Sequence, residues 1–334
     1  MQTITISPDT DLKETIDGIP SDNQEPVTIL LPPGRYYTKL TLDKPHVSLV
    51  GTGASPADTV ITYDDYALAP MPDGKKRGTF RSYTLFVHAD DITLRNLTVE
   101  NASGDSRVHG QAIALYAECD RLTVDSCRLL GHQDTLFTGP LPPKEYEPDG
   151  FIGPTQFAPR IQGRQYYRNC YICGDVDFIF GGAAAYFEHC TIESLHREGA
   201  SPSDPEGYVT AASTPEGQTY GYVFSQCSFI SADCAPASVY LGRPWRDYAK
   251  TVLLHCTLGS HIHPAGFHDW NKPHAHETIF YAEYDSQSPA DSLPSRAAFV
   301  KQLTDVDESF YGREHVLSGA DGWCPWLVQE QLNF

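Results

Sequence analysis

Two stretches of the chain, 43 residues apart, repeat one another, and each carries an aspartate at the same offset. Laid in register, Cys127-Arg128-Leu129-Leu130-Gly131-His132-Gln133-Asp134-Thr135-Leu136-Phe137 matches Cys170-Tyr171-Ile172-Cys173-Gly174-Asp175-Val176-Asp177-Phe178-Ile179-Phe180 at cysteine, aliphatic, glycine, aspartate and phenylalanine positions. If the copies are adjacent turns of a stacked solenoid, equal offsets set the carboxylates of Asp134 and Asp177 side by side, about 4.8 Å apart along the strand-pairing direction. Two carboxylates that close do not both ionise comfortably. One is expected to be protonated and the other charged, the division that general-acid and nucleophilic chemistry needs.

The elements that must hold such a pair recur along the chain. Cys127, Cys170, Cys190, Cys227 and Cys256 occupy one position in a repeated phrase of alternating apolar and polar residues, and Leu97 takes the same slot. The intervals between them fit a basic turn of some twenty residues with loops of variable length. Period-two alternation marks strands with one buried face, and helical periodicity is almost absent. Short strands recurring every turn describe a parallel β-helix, whose inward positions stack in ladders. A slot that accepts cysteine or leucine wants a small buried hydrophobe, so the cysteines read as free thiols and not as disulfides. Cys170 and Cys173 form a Cys-x-x-Cys without a second ligand pair, so no metal site is expected there. His261, His263, His268, His274 and His276 likewise lack partners at ligand spacing and read as loop residues.

Earlier coils are expected at Val27–Leu31, Val47–Gly51 and Ile92–Arg95. A helix over Thr10–Ile19, with Leu12, Ile16 and Ile19 on one stripe, is expected to cap the open end of the stack. From Ser286 onward the chain is expected to fold back along the coils as a short helix and loops. No linker divides the 334 residues, so residues 1–334 read as one all-β domain with short helical caps.

Bulk charge narrows the partners. A net charge of -19 and a pI near 4.9 argue against nucleic acid or an anionic membrane surface, both of which demand basic patches. No segment approaches the eighteen apolar residues of a membrane span, and the N-terminal residues show no export signal. A monomer is expected, either in the cytoplasm, with a bacterial source favoured, or outside the cell after loss of a signal segment. The free thiols suit a reducing compartment.

Four motifs surround the copied aspartates: Gly110-Gln111-Ala112-Ile113-Ala114-Leu115, Gly131-His132-Gln133-Asp134-Thr135-Leu136, Asp175-Val176-Asp177-Phe178-Ile179-Phe180-Gly181, and Leu241-Gly242-Arg243-Pro244-Trp245. With Gly266-Phe267-His268-Asp269-Trp270 further on, the sequence resembles the pectinesterases, the pectin methylesterases of carbohydrate esterase family 8, over nearly its whole length. The resemblance implies a right-handed parallel β-helix that hydrolyses methyl esters of galacturonate units in pectin or its oligomers, with no metal and no organic cofactor. It implies Asp177 as nucleophile, Asp134 as general acid and then general base, and Arg243 as the group that keeps Asp177 ionised. Gln111 and Gln133 would donate to the developing oxyanion. Phe137, Val176, Phe180 and Trp245 would contact the sugar, the rings by stacking.

Other readings compete. Gln111 and Gln133 alternatively hydrogen-bond along the coils as ladder residues. Asp120 and Asp125 read as turn formers, and Asp175 receives no chemistry. Against the resemblance, an insertion of about a coil's length separates the two aspartates, from Pro140 to Gly163, and Phe137 stands where the family commonly has tyrosine. The insertion is expected to wall the substrate groove, with Lys144, Tyr146, Phe151 and Phe157 as sugar contacts. The acidity is expected to favour highly esterified substrate, so that salt strengthens binding of low-methyl pectin. A polygalacturonase or pectate lyase is disfavoured because their carboxylate and basic motifs are missing. A non-catalytic carbohydrate-binding β-helix and an esterase of acetylated sugars stand as the alternatives.

Overall fold

The computed structural model describes residues 2–7, 10–197, 204–289 and 295–327. Its strands form three sheets of eleven, seven and eight strands, and every paired strand runs parallel to its neighbours. Each central coil contributes one strand to each sheet, and the terminal coils to one or two, so the chain winds as a parallel β-helix. The first sheet begins at Gln2–Thr5 and passes through Val27–Leu31, Val47–Gly51 and Ile92–Arg95, all three as expected, to end at Val300–Gln302. The 43-residue offset is the true register: Arg128 pairs with Tyr171 in one sheet and Leu136 with Ile179 in another.

The repeated phrase is a corner and not a single strand. Before each ladder residue, one residue adopts a left-handed backbone: Asn96, Ser126, Asn169, His189, Gln226 and His255, with φ between 50° and 55°. That single residue turns the chain from the first sheet into the eight-stranded one. Leu97 and the five cysteines then point inward with at most 2% exposure. Each thiol from Cys170 onward donates to a backbone carbonyl of the preceding coil, as Cys190 does to Tyr167 and Cys227 to Phe187. All nine cysteines are free. Beside them Tyr167, Phe187 and Phe224 stack at 4.6 and 4.5 Å between ring centroids, with their planes nearly parallel. Rings separated by one coil rise are held in van der Waals contact, which repays their burial.

The N-terminal helix covers Leu12–Asp17, shorter than the stripe suggested, with the Asp11 carboxylate accepting from the amides of Lys13 and Glu14. Leu12, Ile16 and Ile19 are buried in the main core, so the capping role holds although Ile19 lies beyond the helix. The C-terminal segment supplies a strand as well as two short helices, Asp305–Phe310 and Arg313–Val316. Arg313 grips the Glu188 carboxylate with one nitrogen at 2.9 Å from both oxygens, and Leu303, Trp323 and Trp326 cover the outside of the first sheet. Asp120 and Asp125 are ion-pair anchors and not simple turn formers. Asp120 accepts two bonds from the Arg164 guanidinium, and Asp125, 3% exposed, faces Arg168 and Arg95.

Candidate active site

The seven-stranded sheet carries the chemistry. Its successive strands Leu115–Ala117, Leu136–Thr138, Val176–Gly181, Gly207–Ala212 and Val239–Pro244 bring the motifs onto one face. Asp134 and Asp177 both sit in left-handed backbone, at φ 66° and 51°. For Asp177 the cause is visible: three steps from Val176 to Ile179 oppose two from Tyr208 to Thr210, so the strand bulges at the aspartate. A bulge re-aims a side chain out of the regular pleat, a common device beside active sites. The backbone N–H of Asp134 donates to the Val176 carbonyl at 3.1 Å, which fixes the two aspartates on adjacent coils.

Their surroundings differ. Arg243 clasps Asp177 through two parallel bonds, Nε to Oδ1 at 2.8 Å and a terminal nitrogen to Oδ2 at 2.7 Å. The guanidinium is itself sandwiched, 3.9 Å from the Tyr208 ring centroid and 3.7 Å from that of Trp270. Two aromatic faces and a bidentate carboxylate leave the arginine one orientation. The Asp134 carboxyl, by contrast, makes no hydrogen bond among the described residues. Burial pushes Asp134 well above the ordinary carboxylate range, with the charges of Asp177 and Asp175 adding to the rise and Arg243 opposing it. Burial also raises Asp177, and Arg243 offsets only part of that rise. The resemblance implied Arg243 as the group that keeps Asp177 ionised; removal from water works against it and leaves the carboxyl raised. The division of labour survives as a difference in degree.

Gln111 and Gln133 lie beside the pair, half-buried, and their backbone carbonyls accept from Ala67 and Ala112. Neither side-chain amide has a hydrogen-bond partner among the described residues, so the ladder alternative finds no support and both amides are free to donate. The aromatic expectations divide. Trp245 is half-buried and open to a ligand, while Phe180 shows 3% exposure at 5.7 Å from it. Phe137 is fully buried, packed on Phe80, Tyr116 and Phe180. It supports the floor and offers no stacking surface, because Phe80 arrives from an earlier coil to cover it. Val176, 7% exposed, contributes its carbonyl to the Asp134 amide.

Asp175, which received no role, is 2% exposed and holds the site together. Its Oδ2 accepts from the Ser106 hydroxyl at 2.6 Å and lies 3.5 Å from His132 Nδ1, while Oδ1 accepts from the Val176 amide. Ser106 opens the one-turn helix Ser106–His109 that leads into Gln111. Asp175 therefore ties the glutamine loop to the nucleophile strand. Tyr208 and Trp270 were also missed as partners of Arg243, although the motif ending in Trp270 had been visible.

The insertion is anchored from beneath. Phe151 and Leu141 enter the buried aromatic cluster, and the fully buried Thr155 hydroxyl donates to Glu118 at 2.6 Å. Above them Tyr146, 65% exposed, donates to the Trp245 carbonyl and lies under the Arg246 guanidinium at 3.7 Å. Of the four expected sugar contacts, Phe151 is buried and belongs to the core, whereas Lys144, Tyr146 and Phe157 stay exposed.

The Pectinesterase family profile matches residues 7–141 and 160–312, skipping most of the insertion and including both aspartates and Arg243. The chain belongs to the pectinesterase family. It is 31% identical over 317 residues to Pectinesterase QRT1 of Arabidopsis thaliana, covering 92% of this chain and 73% of that one. Pectinesterase 31 of the same plant is 29% identical over 321 residues, covering 95% and 90%. Among solved structures, pectin methylesterase PemA from Erwinia chrysanthemi superposes with a TM-score of 0.76 at 27% identity, covering 97% of this chain and 98% of that one. As a pectinesterase the protein is a carboxylic ester hydrolase that acts on the methyl esters of pectin.

Proposed function

We propose that this pectinesterase works through Asp177 as nucleophile and Asp134 as general acid and base, in the groove floored by Phe180 and flanked by Trp245. The observation that carries the assignment is the asymmetry of the pair: Asp177 is held bidentately by Arg243, and Asp134 is buried beside it with no hydrogen bond to its carboxyl among the described residues. In the first half-reaction Asp177 attacks the ester carbonyl carbon, and the oxygen that becomes negative is met by the unengaged amides of Gln111 and Gln133. The carbon–oxygen bond to methoxide breaks as Asp134 gives up its proton, and methanol leaves. Asp134, now a carboxylate, takes a proton from water, whose oxygen attacks the acyl carbon. Asp177 is expelled as carboxylate, and the galacturonate unit is released as the acid.

A related pectin methylesterase of 27% identity has been solved with a hexasaccharide, which supports an oligomer or polymer segment as the substrate of this chain. The proposal also places the enzyme in a reducing compartment, a reading that its nine unpaired cysteines support. The test is methanol release from highly methylated pectin by wild type and by Asp177→Ala, with polymer length followed in the same samples. Methanol without chain shortening, abolished by the substitution, is the expected result. Methanol release that persists in a folded Asp177→Ala protein would remove Asp177 from the mechanism.

A further inference from the structure

On the catalytic face, two to three coils toward the N-terminal end from Asp134, lies an open cleft of about 410 Å³. At the coil spacing this is about 10 to 14 Å along the axis. Its lining includes Lys39, Arg77, Arg81 and Tyr83 from the early coils and Gly153 and Gln156 from the insertion. The two walls meet closely, for a Cβ on Gly153 would fall 2.6 Å from that of Phe80. Phe80 also touches Phe137, Phe151 and Phe180, so the cleft borders the aromatic floor of the catalytic groove.

The cleft is basic in a chain whose net charge is -19. Lys39 and Arg77 share one carboxylate, Asp65, at 2.5 and 2.8 Å. The Arg81 guanidinium is held by the carbonyls of Arg77 and Lys76 and meets no carboxylate among the described residues. Nε of Arg77 is buried without a hydrogen-bond partner among the described residues. Of the acids nearby, Asp149 pairs with Lys75 and Asp73 accepts the Lys75 amide. Three cations against one acid leave an excess of positive charge, and Lys39 lies 4.4 Å from the centroid of the Tyr83 ring.

We propose that this cleft is an anion site that takes the free carboxylate of an already demethylated galacturonate unit. The inference rests on the pectin methylester reading of the catalytic groove and adds a second recognition point on the same polymer. A guanidinium fixed by backbone carbonyls presents its remaining N–H groups to a planar carboxylate, and Tyr83 offers a face to the apolar side of a pyranose. A methyl ester at the same place brings no charge, so the cleft distinguishes product units from substrate units. It also reverses locally the repulsion that the overall acidity imposes on a polyanion.

The experiment is titration of the full-length enzyme with trigalacturonate, which carries no ester and is not turned over, at low and high salt. Wild type should bind, and salt should weaken the binding, opposite in sign to what the net charge alone predicts. Arg81→Gln should raise Kd about three- to fivefold, the effect of one partly exposed ion pair, while Arg81→Lys, which keeps the charge and loses the planar fork, should fall between Arg81→Gln and wild type. Gln156→Glu removes no side-chain hydrogen bond found among the described residues and adds a negative charge, so it should weaken binding similarly even if Arg81→Gln disturbs its loop. None of the three should change methanol release from fully methylated pectin. Trigalacturonate affinity indifferent to all three, or strengthened by salt, would overturn the site. No methanol from any pectin, with binding still sensitive to Arg81, would instead overturn the catalytic reading and leave the cleft.

Discussion

Arg243 reaches Asp177 from two coils away and holds both of its carboxylate oxygens, while the neighbouring Asp134 receives no such bond. One cation placed against one of two buried carboxyls separates their proton affinities without any other difference in their burial. The two then titrate as a coupled pair. Activity should fall on the acid side as Asp177 takes up a proton and on the alkaline side as Asp134 loses one.

Stability follows from the same asymmetry. Asp134 is raised well above its ordinary value, chiefly by burial. Its folded form therefore binds a proton more tightly than its unfolded form. The favourable contribution is complete below the unfolded carboxylate pKa of about 3.9 and is lost as pH rises through the higher folded value. At pH 7 the group works against folding. Asp134→Asn should abolish methanol release yet raise stability at pH 7 by about 1 kcal/mol, a gain typical of removing a strained active-site group. Thermal unfolding of both proteins from pH 3 to pH 8 checks this, because the gain must shrink toward zero at the acid end. A gain of equal size at every pH would point to packing instead.

The free amides of Gln111 and Gln133 give a cleaner test of oxyanion stabilisation than most such residues allow. Because neither side chain bonds to another group among the described residues, Gln111→Ala and Gln133→Ala should leave the unfolding temperature almost unchanged. Each should lower kcat for methanol release by roughly a hundred- to a thousandfold, with KM little affected. Equal losses in kcat and stability would return both residues to a structural role.

The aspartate pair and the cysteine ladder were legible because both obey the coil period, which turns a 43-residue offset into a lateral neighbour. The corners were not, since asparagine, serine, histidine and glutamine all fill the left-handed slot and share no hydrophobic signature. Phe137 was misplaced for a different reason. Its burial depends on Phe80 from an earlier coil, and the cluster it joins is closed by Phe151 from the insertion, and no local pattern announces either contact. The stacking of Tyr208 and Trp270 on Arg243 joins three coils through loops of unequal length. Periodicity reaches residues within the coils; it is silent on what the loops bring to them.

Asp175 offers a test of positioning as distinct from catalysis. It touches neither the nucleophile oxygens nor the ester, but its bond to Ser106 sets the loop that leads to Gln111. Asp175→Ala should lower kcat about tenfold, and Asp175→Asn, whose amide oxygen accepts from the Val176 amide while its NH2 donates to the Ser106 hydroxyl oxygen, should recover most of it. Combining Asp175→Ala with Gln111→Ala should cost little more than Gln111→Ala alone, because both remove the same placed donor. Additive losses in that double variant would dissociate Asp175 from the glutamine.

The insertion cannot be probed by deletion, since losing Leu141, Phe151 and Thr155 would leave the aromatic cluster open and Glu118 with the Tyr116 hydroxyl but without the closer Thr155 donor. Tyr146 is the better handle. Arg246 and Lys272 both lie close to its ring, its hydroxyl reaches the Trp245 carbonyl, and most of its surface is exposed. Exposed cation–π contacts contribute on the order of 0.5–1 kcal/mol, so Tyr146→Ala should shift stability only slightly. If the insertion walls the groove, the same change should raise KM for methylated oligogalacturonides several-fold and leave kcat within about twofold, because the ring binds ground state and transition state alike. Tyr146→Phe keeps the stacked ring and should restore most of the affinity. Steady-state methanol release over a series of oligomer lengths decides it: an unchanged KM at every length would place the insertion outside the substrate path.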